Sequence, residues 1–251
     1  MKNQDVYENI NPYENSTLSK KYQVTKIFDT ISDVYDMVNK ILFFGLHSIW
    51  RKKVVKLLTD KKPIKILDIA TGTGDLAIDL TKTNARKIVG ADISKEMLKI
   101  ARNKVNSRNL NGIIEIQLGD AEKLNFQDNY FDAITCSFGV RNFENLHQGL
   151  SELLRVLKPG GQLVILETAV PKYFPLKQGY YLYSHLIIPM LGKIISKDKL
   201  AYEYLSDSAG IFPHGEKFNA ILKQSGFTSV KDTPQTLGIV SIYSAIKPLD
   251  N

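Results

Sequence analysis

The stretch Ile64-Lys65-Ile66-Leu67-Asp68-Ile69-Ala70-Thr71-Gly72-Thr73-Gly74-Asp75 decides the fold. Its first half is a short apolar run with β-branched residues, the pattern of a strand buried on both faces of a parallel sheet. The run breaks at Thr71–Gly74, and Leu76, Ala77 and Leu80 then recur at helical spacing. Strand, glycine turn and helix open a βαβ unit. Glycines let the backbone bend sharply and approach a ligand with no side chain between, and the new helix aims unpaired N–H groups at the same spot. Gly72, Gly74 and Ala77 follow the G-x-G-x-x-G/A spacing of a nucleotide-type site.

Working outward, Asp92 ends the next apolar run, Lys87 to Ala91. A carboxylate at the tip of a second strand is placed to accept both hydroxyls of a ribose. NAD and S-adenosylmethionine both present such a ribose, and Asp92 does not choose between them. The alternation continues with a helix over 95–108 capped by Ser94, a strand over 113–118, a strand over 131–137, a helix over 145–157, a turn at Pro159-Gly160-Gly161 and a strand over 162–167. Alternating strands and helices predict an α/β fold, a doubly wound and mostly parallel sheet with right-handed crossovers. A final helix over 215–225 and strands over 228–232 and 236–245 add an antiparallel hairpin at one sheet edge, giving seven strands.

The chain reads as one domain of 251 residues. Residues 1–16 are a polar tail with no apolar core of a signal peptide or anchor. Residues 17–60 carry apolar positions at three- and four-residue steps and form an N-terminal helical cover. Residues 64–168 form the ligand-binding core, and 171–213 a helical, tyrosine-rich insertion after the fifth strand that forms a substrate pocket wall or lid. Within the insertion, Gln178 to Gly192 lacks Lys, Arg, Asp and Glu, yet is too short to span a bilayer. The single cysteine, Cys136, cannot pair internally or build a metal cluster, which fits a reducing cytoplasm. Thirty-three basic against 26 acidic residues leave a formal charge of +7. The lysines are dispersed without interleaved aromatics, which argues against a nucleic-acid partner.

Ligands of doubly wound sheets sit at the carboxyl ends of the strands. Those tips carry Thr71–Asp75, Asp92, Asp120-Ala121-Glu122, Ser137–Asn142 and Glu167-Thr168. Asp120 there is suited to accept from an exocyclic amine such as that of adenine. Asp68, the glycine turn, Asp92, Asp120-Ala121 and Lys158-Pro159-Gly160-Gly161 together resemble a class I S-adenosylmethionine-dependent methyltransferase, a Rossmann-like fold. Ala70 departs from that motif, standing at its first glycine. Tyr35-Asp36-Met37-Val38-Asn39, His47, Trp50, Phe138-Gly139-Val140-Arg141-Asn142, Arg155–Gly161 with Glu167, Tyr202-Glu203-Tyr204-Leu205, Gly226-Phe227 and Gly238-Ile239-Val240 resemble the ubiquinone/menaquinone biosynthesis C-methyltransferases over nearly the whole chain. Phe43, Ser206, Tyr243 and Thr168-Ala169-Val170-Pro171 depart from that pattern.

The resemblance implies methyl transfer from S-adenosylmethionine to a ring carbon of a prenylated hydroquinone, demethylmenaquinol first and a benzoquinol precursor second, with no metal. It implies cofactor contacts at Thr73, Asp92, Asp120, Ala121 and Ser137, beside Gly72 and Gly74. Arg141 is the expected oxyanion partner, because its charge persists at any working pH. Asn142 is expected to orient a hydroxyl or water. His47 is a candidate base, with a buried structural histidine as the competing reading. Tyr22, Tyr35 and Tyr243 are candidate pocket residues. A lipophilic substrate and positive charge together suggest peripheral contact with the inner face of the plasma membrane by a cytoplasmic protein, and a homodimer fits the same apolar surface. An NAD-dependent oxidoreductase, a methyltransferase on sterols or nucleic acid, and a non-catalytic cofactor binder stay open as alternatives.

Overall fold

A computed structural model describes residues 10–13, 16–187 and 199–249. The proposed tail therefore lies largely outside the described residues, as does part of the insertion. Two helices come first, α1 (Lys20–Leu42) and α2 (Leu46–Thr59). The α/β core follows as β1 (Lys65–Ile69), α3 (Asp75–Asp79, continued by a 3₁₀ turn Leu80–Thr83), β2 (Lys87–Asp92), α4 (Lys95–Ser107), β3 (Ile114–Leu118), β4 (Phe131–Ser137), α5 (Leu146–Val156) and β5 (Leu157–Thr168). Then come α6 (Leu176–Leu182), which runs on into a π-helical turn at Tyr183–Ile187, α7 (Lys199–Ile211), α8 (Glu216–Gln224), β6 (Thr228–Gln235) and β7 (Val240–Ile246).

The seven strands form one sheet in the order β3-β2-β1-β4-β5-β7-β6. The first five neighbours pair in parallel, while β7 runs antiparallel to both β5 and β6. The strand order reverses beside β1, so the tips of β1 and β4 flank the switch-point crevice where α/β sheets bind ligands.

Side chains alternate across the sheet, as the period of two requires. On β5, Leu163 and Ile165 join one buried cluster with Leu150 and Leu153 of α5 and Phe218 and Leu222 of α8. Val164 and Leu166 face the other way, toward Trp50 and Val54 of α2 and Leu76 and Leu80. A third cluster packs α1 (Val24, Ile27, Ile31) against Met97 of α4 and Ala201, Tyr202 and Tyr204 of α7. That cluster lays α1 across the carboxyl ends of the strands.

Capping follows the sequence. Ser94 accepts from Met97 N at the start of α4, and Asn145 accepts from Gln148 N at the start of α5. Pro159–Gly161 differs from the expected turn between helix and strand. β5 already begins at Leu157, opposite Phe131, and its register jumps so that Gln162 faces Ala133. The glycines form a bulge inside the strand, with Gly160 at φ +74°. The terminal hairpin is as expected, antiparallel with β6 at the edge, but β6 runs on to Gln235, β7 starts only at Val240, and a 3₁₀ turn at Thr236–Gly238 joins them.

Candidate active site

The glycine turn is built from left-handed residues. Ala70, Gly72 and Gly74 have φ values of +54°, +56° and +81°. The two glycines do different jobs. A Cβ on Gly74 would lie 3.0 Å from the Ala101 Cβ, so this glycine lets α4 pack close. A Cβ on Gly72 would meet nothing within 4 Å, so this glycine borders open space. Ala70 stands where the common motif has glycine. Its methyl needs Gly139 opposite, because a Cβ there would come within 2.5 Å of the Ala70 Cβ.

That open space is a pair of adjoining cavities, of about 510 Å³ and 70 Å³. Tyr35, Ala70, Gly72, Ser137 and Phe138 line both and form the wall between them. Asp92, Asp120, Ala121 and Asn142 line the smaller cavity. Thr73, His47 and Arg141 line the larger. The tertiary structure thus brings all the candidate catalytic and cofactor-binding residues, except Gly74, to one continuous recess. Gly74 supports it from behind. Tyr35 lines it too. Tyr22 is exposed on α1, and Tyr243 is buried beneath the sheet, where its hydroxyl accepts from Gly215 N; neither lines either cavity.

The acidic tips are held rigidly. Asp92 accepts from Gly72 N at 2.8 Å and from Ser94 N at 2.9 Å, and burial raises its pKa against these bonds. Each of its oxygens keeps a lone pair for a hydroxyl. Asp120 accepts from Glu122 N at 2.9 Å and from Lys21 Nζ at 2.7 Å. Lys21 thus reaches across the smaller cavity from α1, a contact that nothing in its amphipathic sequence pattern announced. Asp68 lies beneath the turn and accepts from Thr71 and Thr135 hydroxyls, both at 2.6 Å. Burial lifts its pKa to about 6.

The larger cavity is mostly aromatic and aliphatic. Phe43 and Phe138 stack at 5.9 Å, with Trp50 edge-on to both. Tyr180, Tyr183 and Leu176 of the insertion close its far side. Its strongest polar feature is Arg141, which is only 9% exposed. Arg141 Nη1 donates to Glu167 Oε1 at 2.6 Å and to Phe138 O at 2.9 Å, while its buried Nε makes no hydrogen bond. Burial opposes the guanidinium charge, but Glu167 together with Tyr35 and Tyr204 more than offsets it, and the pKa is raised. Asn142 faces the other way. Its amide donates to Phe138 O and its oxygen accepts from the Tyr204 hydroxyl. His47 has a buried Nδ1 without a partner, and burial together with Arg51 lowers its pKa.

The recess fits S-adenosylmethionine on its own chemistry. The Gly72 cradle admits a ligand where any side chain would intrude, Asp92 is placed for a ribose, and Ala121 is small where a flat ring must pass. The described residues contain no group of three His, Cys, Asp or Glu side chains suited to a metal.

Comparison with known proteins agrees with this fit. The chain is 44% identical over 241 residues to a demethylmenaquinone methyltransferase of Bacteroides fragilis, covering 96% of this chain and 98% of the relative. It is 37% identical over 231 residues to a ubiquinone/menaquinone biosynthesis C-methyltransferase of Pseudomonas entomophila, covering 91% and 90%. Solved structures share the fold at low identity. The [4+2]-cyclase SpnF matches with a TM-score of 0.66 at 17% identity, over 92% of this chain and 97% of that one. A S-adenosylmethionine-dependent methyltransferase of Thermotoga maritima matches with a TM-score of 0.62 at 19% identity, over 88% and 98%. The model of the ubiE/COQ5 methyltransferase family matches residues 16–247, and with relatives of this identity along nearly its full length, the chain belongs to that family and is a S-adenosylmethionine-dependent methyltransferase.

Proposed function

We propose that the protein methylates a ring carbon of a prenylated hydroquinone, demethylmenaquinol, in menaquinone biosynthesis, and that the larger cavity holds the quinol. The observation that carries this reading is a largely buried Arg141, bonded only through Nη1, in the wall of an apolar, aromatic cavity adjoining the Gly72 cradle. A ring carbon is a weak nucleophile until a neighbouring hydroxyl ionises, so the protein must favour the anion and exclude water. When bound, S-adenosylmethionine supplies an electrophilic methyl, whose transfer to the ring carbon releases the thioether and a ring proton. Arg141 donates to the developing oxyanion. His47, which lines the larger cavity and is held neutral by its lowered pKa, accepts the hydroxyl proton. Asn142 fixes Tyr204 against the Arg141 side of the site. Asp92 and the Gly72 turn hold the nucleoside, with Thr73, Asp120, Ala121 and Ser137 around it.

The tail of such a substrate needs a lipid-side entrance. Phe44, Leu237 and Phe174 are 82%, 72% and 80% exposed. Phe44 and Leu237 line the larger cavity, with Pro175 and Leu176 beside Phe174. Lys172 and Lys177 bracket this last segment, so an apolar rim with flanking cations borders the mouth. That composition suits peripheral docking on an anionic bilayer. No described helix is long and apolar enough to cross one.

The test is methyl transfer from labelled S-adenosylmethionine to short-chain demethylmenaquinol in detergent, with Asp92→Ala and Arg141→Ala alongside. Labelled menaquinol from the wild type, lost in both variants, is the expected result. Cofactor binding without labelling of the naphthoquinol, but with labelling of a benzoquinol, moves the assignment to the ubiquinone precursor. Labelling of neither overturns it.

A further inference from the structure

Glu167 takes no direct part in the reaction outlined above, yet it is the most deeply buried acid at the site. It sits at the tip of β5, is 0% exposed, and touches neither cavity. Its Oε1 accepts three bonds: from Arg141 Nη1 at 2.6 Å, Thr168 N at 2.8 Å and Thr168 Oγ1 at 3.2 Å. Its Oε2 is buried without a partner. A buried carboxylate is costly to desolvate, and removing its charged partner would leave it uncompensated. That partner lines the larger cavity. Among the described residues, both hydrogen bonds of Arg141 leave from Nη1; Nε is enclosed, and Nη2, neither bonded nor enclosed, is left for a ligand.

We infer that Glu167 is a positioning residue for Arg141: it anchors Nη1 from behind and leaves Nη2 for the quinol oxygen, and it sets how strongly the guanidinium charge is felt there. This rests on reading Arg141 as the oxyanion partner. The pair is neutral overall, so a neutral quinol enters without displacing a bare buried cation. As the hydroxyl ionises, the preorganised donor stabilises the anion. Other groups that feel this pair are Tyr35 of α1, Tyr180 of α6 and Tyr204 of α7 around Arg141, and Cys136 of β4 and Tyr243 of β7 around Glu167. Burial raises the pKa of all five, so they stay protonated through neutral pH and leave the Glu167 charge as the variable.

The experiment is Glu167→Gln, which keeps the shape and removes the charge. Three readouts are needed: kcat across pH, S-adenosylhomocysteine affinity by calorimetry, and thermal melting. The expected result is kcat at least tenfold lower, cofactor-product affinity within twofold of wild type, and an acid-side inflection of kcat about one pH unit lower. The inflection falls because removing a nearby negative charge favours every deprotonation beside Arg141, of the substrate hydroxyl and of His47 alike. An inflection that stays at its wild-type position overturns the inference, whatever the rate loss, because a purely structural acid would not set it. If Glu167→Gln does not fold, Glu167→Asp replaces it. The shorter side chain keeps the charge but pulls back from Nη1, so kcat should fall at least tenfold with the inflection unmoved, and wild-type kcat overturns the inference. Arg141→Gln separates the two readings: if that variant keeps half or more of the wild-type kcat, the oxyanion role itself falls.

Discussion

Thr73 Oγ1 donates a 2.6 Å hydrogen bond to Asp36 Oδ1, fastening α1 to the glycine turn. Lys104 completes the joint by contacting Asp36, Thr73 and Asp75 from α4. Two further joints run along the same helix, Asp29 to the Ser94 hydroxyl at 2.6 Å and Lys21 to Asp120. Asp36→Ala removes one of three. Because the Asp36 side chain is 43% exposed, the loss is about 1 kcal/mol rather than the 1.5–3 of a buried charged bond. The melting temperature should drop by about 2–4 °C. S-adenosylhomocysteine affinity should fall several-fold, because Tyr35 sits on the helix that is loosened. A variant with wild-type melting and affinity would show that the joint is idle.

Asp68 gives a pH signature. Its carboxyl is buried and its pKa rises from 3.8 to about 6, despite two threonine donors. A carboxyl with a raised folded pKa binds its proton more tightly when folded, so its contribution is present below the unfolded pKa. It is lost as pH climbs from about 4 to about 6 and is then constant. Two units correspond to about 3 kcal/mol. Asp68→Asn should flatten this part of the curve. Urea unfolding at pH 4.5 and pH 7.5 measures it, and an equal slope in both proteins counts against the assignment.

The two glycines of the turn should separate stability from binding. Gly72→Ala places a methyl in open space and costs only left-handed strain, about 1–2 kcal/mol. It should nonetheless weaken S-adenosylhomocysteine binding at least tenfold by filling the cradle. Gly74→Ala adds a clash with the Ala101 Cβ and Cα, for a total of about 2–4 kcal/mol. It should melt earlier than Gly72→Ala. The reverse order of melting temperatures would be incompatible with the packing described.

At the cavity rim, Phe44 and Leu237 hold left-handed backbone, at φ +48° and +60°, while exposing apolar side chains. Both features cost stability, and neither is repaid by packing. Phe44→Gly with Leu237→Gly should therefore stabilise the protein by about 1 kcal/mol, net of the added freedom of the unfolded chain. The same change should cut flotation with liposomes of anionic phospholipid severalfold. Unchanged flotation would remove these two residues from the docking surface.

Much of this protein is legible along the chain. The short apolar run Ile64–Ile69, the glycine turn and the Asp92 tip specify a parallel α/β core because each is a local pattern with a local physical cause. Helix caps at Ser94 and Asn145 are read the same way. Where local reading stopped short, distant groups were involved. Pro159–Gly161 looks like a turn in isolation and becomes a bulge because β4 pairs on both sides of it. Tyr243 looks like a pocket residue but is claimed by Gly215 N on the other side of the sheet.

What the sequence by itself determined was the strand–helix alternation, the ligand-binding end of the sheet and the identity of the polar groups at its tips. Only the tertiary structure decided their partners. Arg141 meets Glu167 across 26 positions, Asn142 meets Tyr204 across 62, and Lys21 meets Asp120 across 99. Such pairings are set by how α1, β5 and α7 pack over the switch point, and no periodicity within a single segment encodes them. Burial, which raises the pKa of Asp68 and lowers that of His47, is likewise a property of the assembled layers.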